Sequence, residues 1–453
     1  MLEKIFRLSA NNTSLRTEVV GGLTTFMAMA YILAINPAIL SAAGMDSDAV
    51  LLATALSAFI GCTAMALLAN YPFALAPGMG LNAYMAYTVC GSMGYSWQIA
   101  LLAVFVEGII FLLLSLTNVR EAIFNAIPME LKKGVSAGIG LFIAFIGLQG
   151  AHLVVSDETT LITYVKFAKD FHTIGISALL CLIGLFFTII LYSKHIKGAI
   201  LTGIFATWIL GMLCEAAGLY QPDGASFPSL YPDFHMTGLS ALGSTFGKCF
   251  TTDFQSVRII DFIVVVFAFL FVDVFDTLGT LIGVATKSDM LDEKGMLPRI
   301  KPALLADSIA TSAGAILGTS TTTTFVESTA GVAAGAKTGL ASVTTGLLFL
   351  FAILFSPIFT AIPNFATAPA LIFVGFLMIS SLININFDNI TEAVPAYLAM
   401  IAMPLTYSIS EGIALGVISY VVINVCCGYA KKINVFMYIL AILFIGKYAF
   451  LTV

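Results

Sequence analysis

Three carboxylates stand in stretches that are otherwise apolar. Asp273 and Asp276 lie in IVVVFAFLFVDVFDTLGTLIG, and Glu327 lies in TTTTFVESTAGVAAGAK. Asp273 and Asp276 are spaced to share one face of a helix, which Thr277 and Thr280 extend by a turn. No Lys or Arg sits near the middle of either stretch. Burial without a cation disfavours the charged form of a carboxyl, so such a group can take up and release a proton. Once ionised it accepts two hydrogen bonds, which suits adjacent N–H donors on the edge of a planar ligand. Asp273, Asp276 and Glu327 are therefore the candidate ligands and the candidate proton carriers. The bland alternative is a structural carboxylate that caps a neighbouring helix.

Other residues nearby offer weaker chemistry. Ser328 and Thr329 bring hydroxyls and, at the start of a short helix, free backbone N–H groups where the helix dipole favours an electron-rich atom. Phe325 can stack on a planar ring, although a core position explains it equally well. Asn82, after Pro77, Gly78 and Gly80, can present its amide to a ligand or cap a helix. Glu107 sits in LLAVFVEGIIFLLL, where a structural role fits better than a proton relay. His152, His172 and His235 fall near loops, His195 falls between lysines, and no nucleophile motif accompanies them. The seven cysteines lie mostly in apolar segments without metal-ligand spacing, so neither a metal nor a cofactor is expected beyond a coupling proton.

The elements that hold these residues must be built for lipid. Of 453 residues, 59% are hydrophobic and 10% charged, whereas a soluble chain is about one quarter charged. The net charge of −5 comes without a basic run, so nucleic acid is not an expected partner. The N-terminus has no cleavable signal pattern, which leaves the first span as the insertion signal. The pattern predicts an all-α polytopic membrane protein of 14 transmembrane segments. Residues 1–18 form a cytoplasmic N-terminus, 19–217 a first group of seven spans, 218–258 an external loop, 259–428 a second group of seven, and 429–453 an apolar tail. Positive charges support this orientation. Lys4, Arg7 and Arg16 precede span 1, Arg120, Lys132 and Lys133 follow span 4, and Lys287, Lys294, Arg299 and Lys301 follow span 8. Lys166 and Lys169 run against it, accompanied by Asp157, Glu158 and Asp170.

The two groups of spans echo each other. Leu51-Leu52-Ala53-Thr54 opens span 2 and Leu304-Leu305-Ala306-Asp307 opens span 9, with Gly61 and Gly314 at the same offset. An odd number of spans per repeat requires the second copy to be inverted. Each copy then enters a poorly helical third segment. Pro72, Pro77, Gly78 and Gly80 interrupt span 3, and the run Thr321 to Thr324 gives span 10 a β-branched start. Irregular backbone at membrane depth is tolerated where it is buried in protein or lines a cavity. Matched interruptions in the two halves point to a midplane binding site.

Four stretches carry a family resemblance: TEVVGGLTTFMAMAYILAINPAIL at 17–40, ALAPGMGLNAY at 74–84, FVDVFDTLGTLIG at 271–283 and TSTTTTFVESTAGVAAGAKTGL at 319–340. Together they resemble the azaguanine-resistance-type purine permeases, the adenine, guanine and hypoxanthine branch of the nucleobase–cation symporter-2 family. The resemblance implies two inverted seven-span repeats forming a core and a gate domain, with short antiparallel strands in spans 3 and 10. It implies purine binding at their junction by Asp273, Asp276 and Glu327, with Asn82 from span 3. Phe325, Ser328, Thr329 and Thr277 complete the candidate substrate site. The expected function is proton-coupled purine uptake across the cell membrane, with the lipid bilayer as surroundings; a homodimer is compatible with it. Two competing readings are a passive channel or a permease for another planar or anionic solute on the same fold, and a membrane-embedded hydrolase. The hydrolase is disfavoured because Asp273 and Asp276 share one helix instead of facing each other from two.

Overall fold

The computed structural model describes residues 2–116, 127–157, 159–168, 170–223, 227–232, 238–252, 258–287, 290 and 297–450. Arg120, Lys169, His235 and Lys294 lie outside the described residues. Among the described residues, nine helical stretches are long and apolar enough to cross a membrane.

The first predicted span is a pair of helices, α1 (Leu15–Met29) and α2 (Ile32–Ser41). At their junction the N–H groups of Leu33 and Ala34 reach back three residues, to Ala30 and Tyr31, which tightens the turn. Pro37 lies inside α2 and withholds a helical donor from the carbonyl of Leu33. Helix α3 (Ser47–Ala64) starts at Asp46, whose side chain accepts from Ala49 N at 2.8 Å. It runs on through a wider coil and stops at Asn70, which is left-handed with φ 53°. The chain then extends as β1 (Leu75–Pro77) before turning into α4 (Met79–Ala83) and a second wide coil, Tyr84–Ser92. Helices α5 (Trp97–Ser115) and α6 (Met129–Gly150) lead to a hairpin of β2 (Val154–Asp157) and β3 (Leu161–Tyr164), and then to α7 (Ile176–Ser193) and α8 (Ala199–Ala216).

The second half follows a similar order. Helix α9 (Ile259–Lys287) and α10 (Ile300–Leu317) precede β4 (Thr322–Thr324), the short α11 (Ser328–Ala333) and α12 (Gly339–Ala352). Helices α13 (Asn364–Ile379), α14 (Ile390–Thr406) and α15 (Ile409–Cys426) follow. The apolar tail forms a further helix, α16 (Val435–Phe450). It packs on α15, and the Tyr448 hydroxyl near its end donates to Glu411 near the start of α15. The tail therefore runs back along most of that helix.

Packing sorts the helices into two groups. Helices α1, α2, α3, α5, α10 and α12 pack chiefly among themselves around β1 and β4, whereas α6, α13, α14 and α15 form a second group joined by α7 and α8. One carboxylate ties down the start of the first group. Glu18 is fully buried in α1 and accepts from Lys337 N at 2.9 Å and Thr338 N at 3.2 Å, where α12 begins. A cleft of about 220 Å³ opens between the groups, lined by Ile35 and Ala38 of α2, Tyr87, Ile146 of α6, and Asn364 and Thr367 of α13.

Candidate functional site

Strands β1 and β4 pair antiparallel, with Leu75 opposite Thr324, Ala76 opposite Thr323 and Pro77 opposite Thr322. Gly78 N donates to Thr321 O and Phe325 N to Ala74 O, both at 2.9 Å, which extends the ladder at each end. The local sequence favours this. Threonines have restricted side chains that suit a pleat, and Pro77 at the strand end cannot continue a helical ladder. The short strands expected in spans 3 and 10 are thus present, and they meet.

Alternation along β4 decides what each threonine touches. Thr321 donates to Glu107 Oε2 at 2.9 Å, and Thr323 donates to Asp276 Oδ2 at 3.4 Å. Thr322, which points the other way, meets the Ser57 hydroxyl at 2.6 Å. Glu107 is fully buried, and its bond to Thr321 ties α5 to the start of the strand. A Cβ on Gly78 would stand 3.0 Å from Thr323 Oγ1 and 3.3 Å from Asp276 Oδ2. The absent side chain lets the backbone close over that pair.

The carboxylates gather beside this crossing. Asp273 is fully buried, and the Thr277 hydroxyl lies 2.9 Å from its Oδ1. The same hydroxyl is 3.1 Å and 3.2 Å from the two oxygens of Asp307, which is also fully buried and comes from α10. Asp276, one turn along α9, is within electrostatic range of both Asp307 and Glu327. Glu327 stands beyond the end of β4, where the Tyr31 hydroxyl donates to its Oε1 at 2.5 Å. Here the fold opens: Val326 is 49% exposed while Phe325, its neighbour, is 6% exposed.

Two of these residues escaped the reading of the sequence. Asp307 carried a signal, a carboxylate inside an apolar span, but its stretch served only as a repeat marker opposite Thr54. Tyr31 carried none, because nothing in MAMAYILAIN distinguishes it from a core tyrosine.

Other candidates lie close by with altered roles. Ser328 is buried, and its hydroxyl accepts from Ala74 N at 3.0 Å, which fixes α11 to the lead of β1. Thr329 donates its hydroxyl to Val326 O at 2.8 Å. Their backbone N–H groups, expected to be free, donate to Phe325 O and Val326 O. The tight turn at the end of β4 consumes these donors. Phe325 is a buried ring anchored by its own N–H. Asn82 is fully buried on α4, accepts from the Ser320 hydroxyl through Oδ1, and leaves Nδ2 without a partner among the described residues. Among the described residues, no group of three His, Cys, Asp or Glu side chains is placed to hold a metal.

A family model described as the Permease family (Xan_ur_permease) matches residues 16–415. The chain belongs to that family. Its relatives include the guanine/hypoxanthine permease PbuG of Bacillus subtilis, 44% identical over 461 residues that cover 99% of this permease and 100% of PbuG. The adenine permease AdeP of Escherichia coli is 41% identical over 452 residues, covering 100% of this permease and 96% of AdeP. The resemblance read from the four motifs is borne out by these matches. Family membership also makes this permease a multi-pass transporter and not an enzyme. In fold it is similar to the transmembrane domain of the cyanobacterial bicarbonate transporter BicA, with TM-score 0.62 at 14% identity, covering 89% of this chain and 97% of that one. Murine Slc26a9 in the inward-facing state is similar at TM-score 0.59 and 13% identity, covering 91% of this chain and 68% of that one.

Proposed function

We propose that this permease takes up purine nucleobases across the cell membrane by proton symport with alternating access. The observation that carries the reading is the convergence of Asp273, Asp276, Asp307 and Glu327 on the β1/β4 crossing. Relatives named as guanine/hypoxanthine and adenine permeases along the full length supply the substrate class.

In this reading Glu327 and Asp276 hold the N–H edge of the base, because each carboxylate presents two acceptor oxygens. Asn82 Nδ2, buried without a partner among the described residues, is the complementary donor for a ring nitrogen or carbonyl. Asp273 and Asp307 share the Thr277 hydroxyl. Two carboxylates so close repel when both are ionised, so a proton taken up by the pair stabilises it. The expected topology has fourteen spans in two inverted repeats with a cytoplasmic N-terminus. The group around β1 and β4 is the core that carries the base, and the group around α6 and α13 is the gate it moves against. The cleft between the two groups is the access route.

Proteoliposomes given labelled hypoxanthine test this directly. With an inward proton gradient the internal base should rise above the outside concentration, and without one it should only equalise. Equal final levels under both conditions would replace the symporter with the passive channel. Unlabelled adenine, guanine and hypoxanthine as competitors then rank the substrates.

A further inference from the structure

The hydroxyl of Tyr31 occupies one of the two oxygens with which, in the proposed function, Glu327 holds the N–H edge of the base. Tyr31 is fully buried at the tightened turn between α1 and α2, so its ring has no alternative position in water. Its hydroxyl donates to Glu327 Oε1 at 2.5 Å, the short length characteristic of a hydroxyl on a carboxylate. The two residues belong to one packed unit. Helix α11 lies on α1, and a Cβ added to Gly331 would stand 2.6 Å from Gly21 O and 2.1 Å from Thr25 Oγ1. Backbones that meet this closely at glycines shift together, so any movement of Glu327 with the core takes Tyr31 along.

A carrier must return empty, and a carboxylate left without a donor in a low-dielectric site is costly. A tyrosine differs here from a lysine. It offers one hydrogen bond without neutralising the charge, so it satisfies the acid weakly enough for a ligand to displace it. The geometry points to Tyr31 as an internal substitute for the purine N–H: it holds Glu327 in the empty carrier and yields that oxygen when the base arrives. It is a positioning residue that acts through Glu327, and the inference rests on the purine-symport reading above.

Three predictions separate this role from simple packing. Tyr31→Phe removes a competitor of the substrate, so KM for hypoxanthine should fall several-fold. It also removes the partner of Glu327 in the empty state, so net uptake should slow by about tenfold, equivalent to ~1.4 kcal/mol. Exchange of labelled for unlabelled hypoxanthine, which never requires an empty return, should stay within about twofold of wild type, under ~0.5 kcal/mol. The experiment measures net uptake and exchange by wild type and Tyr31→Phe in proteoliposomes, together with hypoxanthine-dependent thermal stabilisation of each purified protein. Stabilisation of the variant at lower hypoxanthine than wild type, with exchange retained and net uptake slowed, supports the inference. Net uptake and exchange that fall together, or that both stay unchanged, overturn it, as does loss of hypoxanthine stabilisation by the variant. If wild type itself neither transports nor binds hypoxanthine, guanine or adenine, the purine reading falls and takes this inference with it.

Discussion

Around β1 and β4, helices are tied to one another by buried side-chain hydrogen bonds; around α6 and α13, they meet through glycines. In the first group, Asn36 Nδ2 bridges Thr54 and Thr319 at 2.7 and 2.8 Å, Ser57 meets Thr322, Glu107 meets Thr321, and Thr277 lies between Asp273 and Asp307. In the second, a Cβ on Gly375 would stand 2.4 Å from Gly140 O, one on Gly134 2.5 Å from Ala396 O, and one on Gly412 2.6 Å from Ala399 O. Neither device is exclusive. Gly22 approaches Ala341 O in the first group, and Asn424 donates to Thr391 O in the second. The balance nevertheless differs, and its consequence is physical. Directional bonds between buried polar groups fix register, because a shift leaves donors or acceptors unsatisfied. Contacts between small residues depend on close approach and not on donor–acceptor direction, which suits helix packing in lipid.

The comparison can be broken most sharply at its carboxylates. Glu327→Gln should reduce labelled hypoxanthine uptake by about 100-fold, or ~2.7 kcal/mol. Glu107→Gln keeps an oxygen to accept from Thr321 and should lose no more than about threefold, or ~0.7 kcal/mol. Equal losses in the two variants would erase the distinction between ligand and frame. In the glycine-packed group, Gly375→Ala forces the new methyl onto the Gly140 backbone and should destabilise the protein by about 1–3 kcal/mol. An unchanged thermal unfolding curve would show that this contact is looser than the geometry implies. Asp307→Asn preserves an acceptor for Thr277 but removes the shared charge. Uptake should fall by about tenfold, or ~1.4 kcal/mol, with KM little changed, which separates a coupling role from base binding. A modest effect on stability alone belongs to the frame. Ser57→Ala leaves the Thr322 hydroxyl without that partner and should cost about 1 kcal/mol in thermal stability with KM unaltered.

Much of the site was legible because lipid makes polar residues conspicuous. A carboxylate in FVDVFD, or a proline and glycines in an apolar run, stands out against its surroundings without any knowledge of the fold. Glu18 shows the limit of that signal. It too is a buried carboxylate, but it caps α12, the bland role weighed for Asp273, Asp276 and Glu327. Whether an acid caps a helix or faces a ligand depends on which backbone arrives beside it.

By itself, the sequence determined that this chain lives in a bilayer, where its two interrupted segments fall, that Glu327 lies in one of them and Asp273 and Asp276 in another apolar stretch, and to which family it belongs. These follow from composition and local pattern, since each rests on neighbours along the chain. Only the tertiary structure decided that Pro77 sits opposite Thr322, that Thr277 reaches Asp307 as well as Asp273, and that Tyr31 holds Glu327 across 296 positions. It also decided that the N–H groups of Ser328 and Thr329 are spent within their own turn. Hydrogen bonds act over about 3 Å in space and without regard to separation along the chain, so their partners appear only when distant segments are brought together.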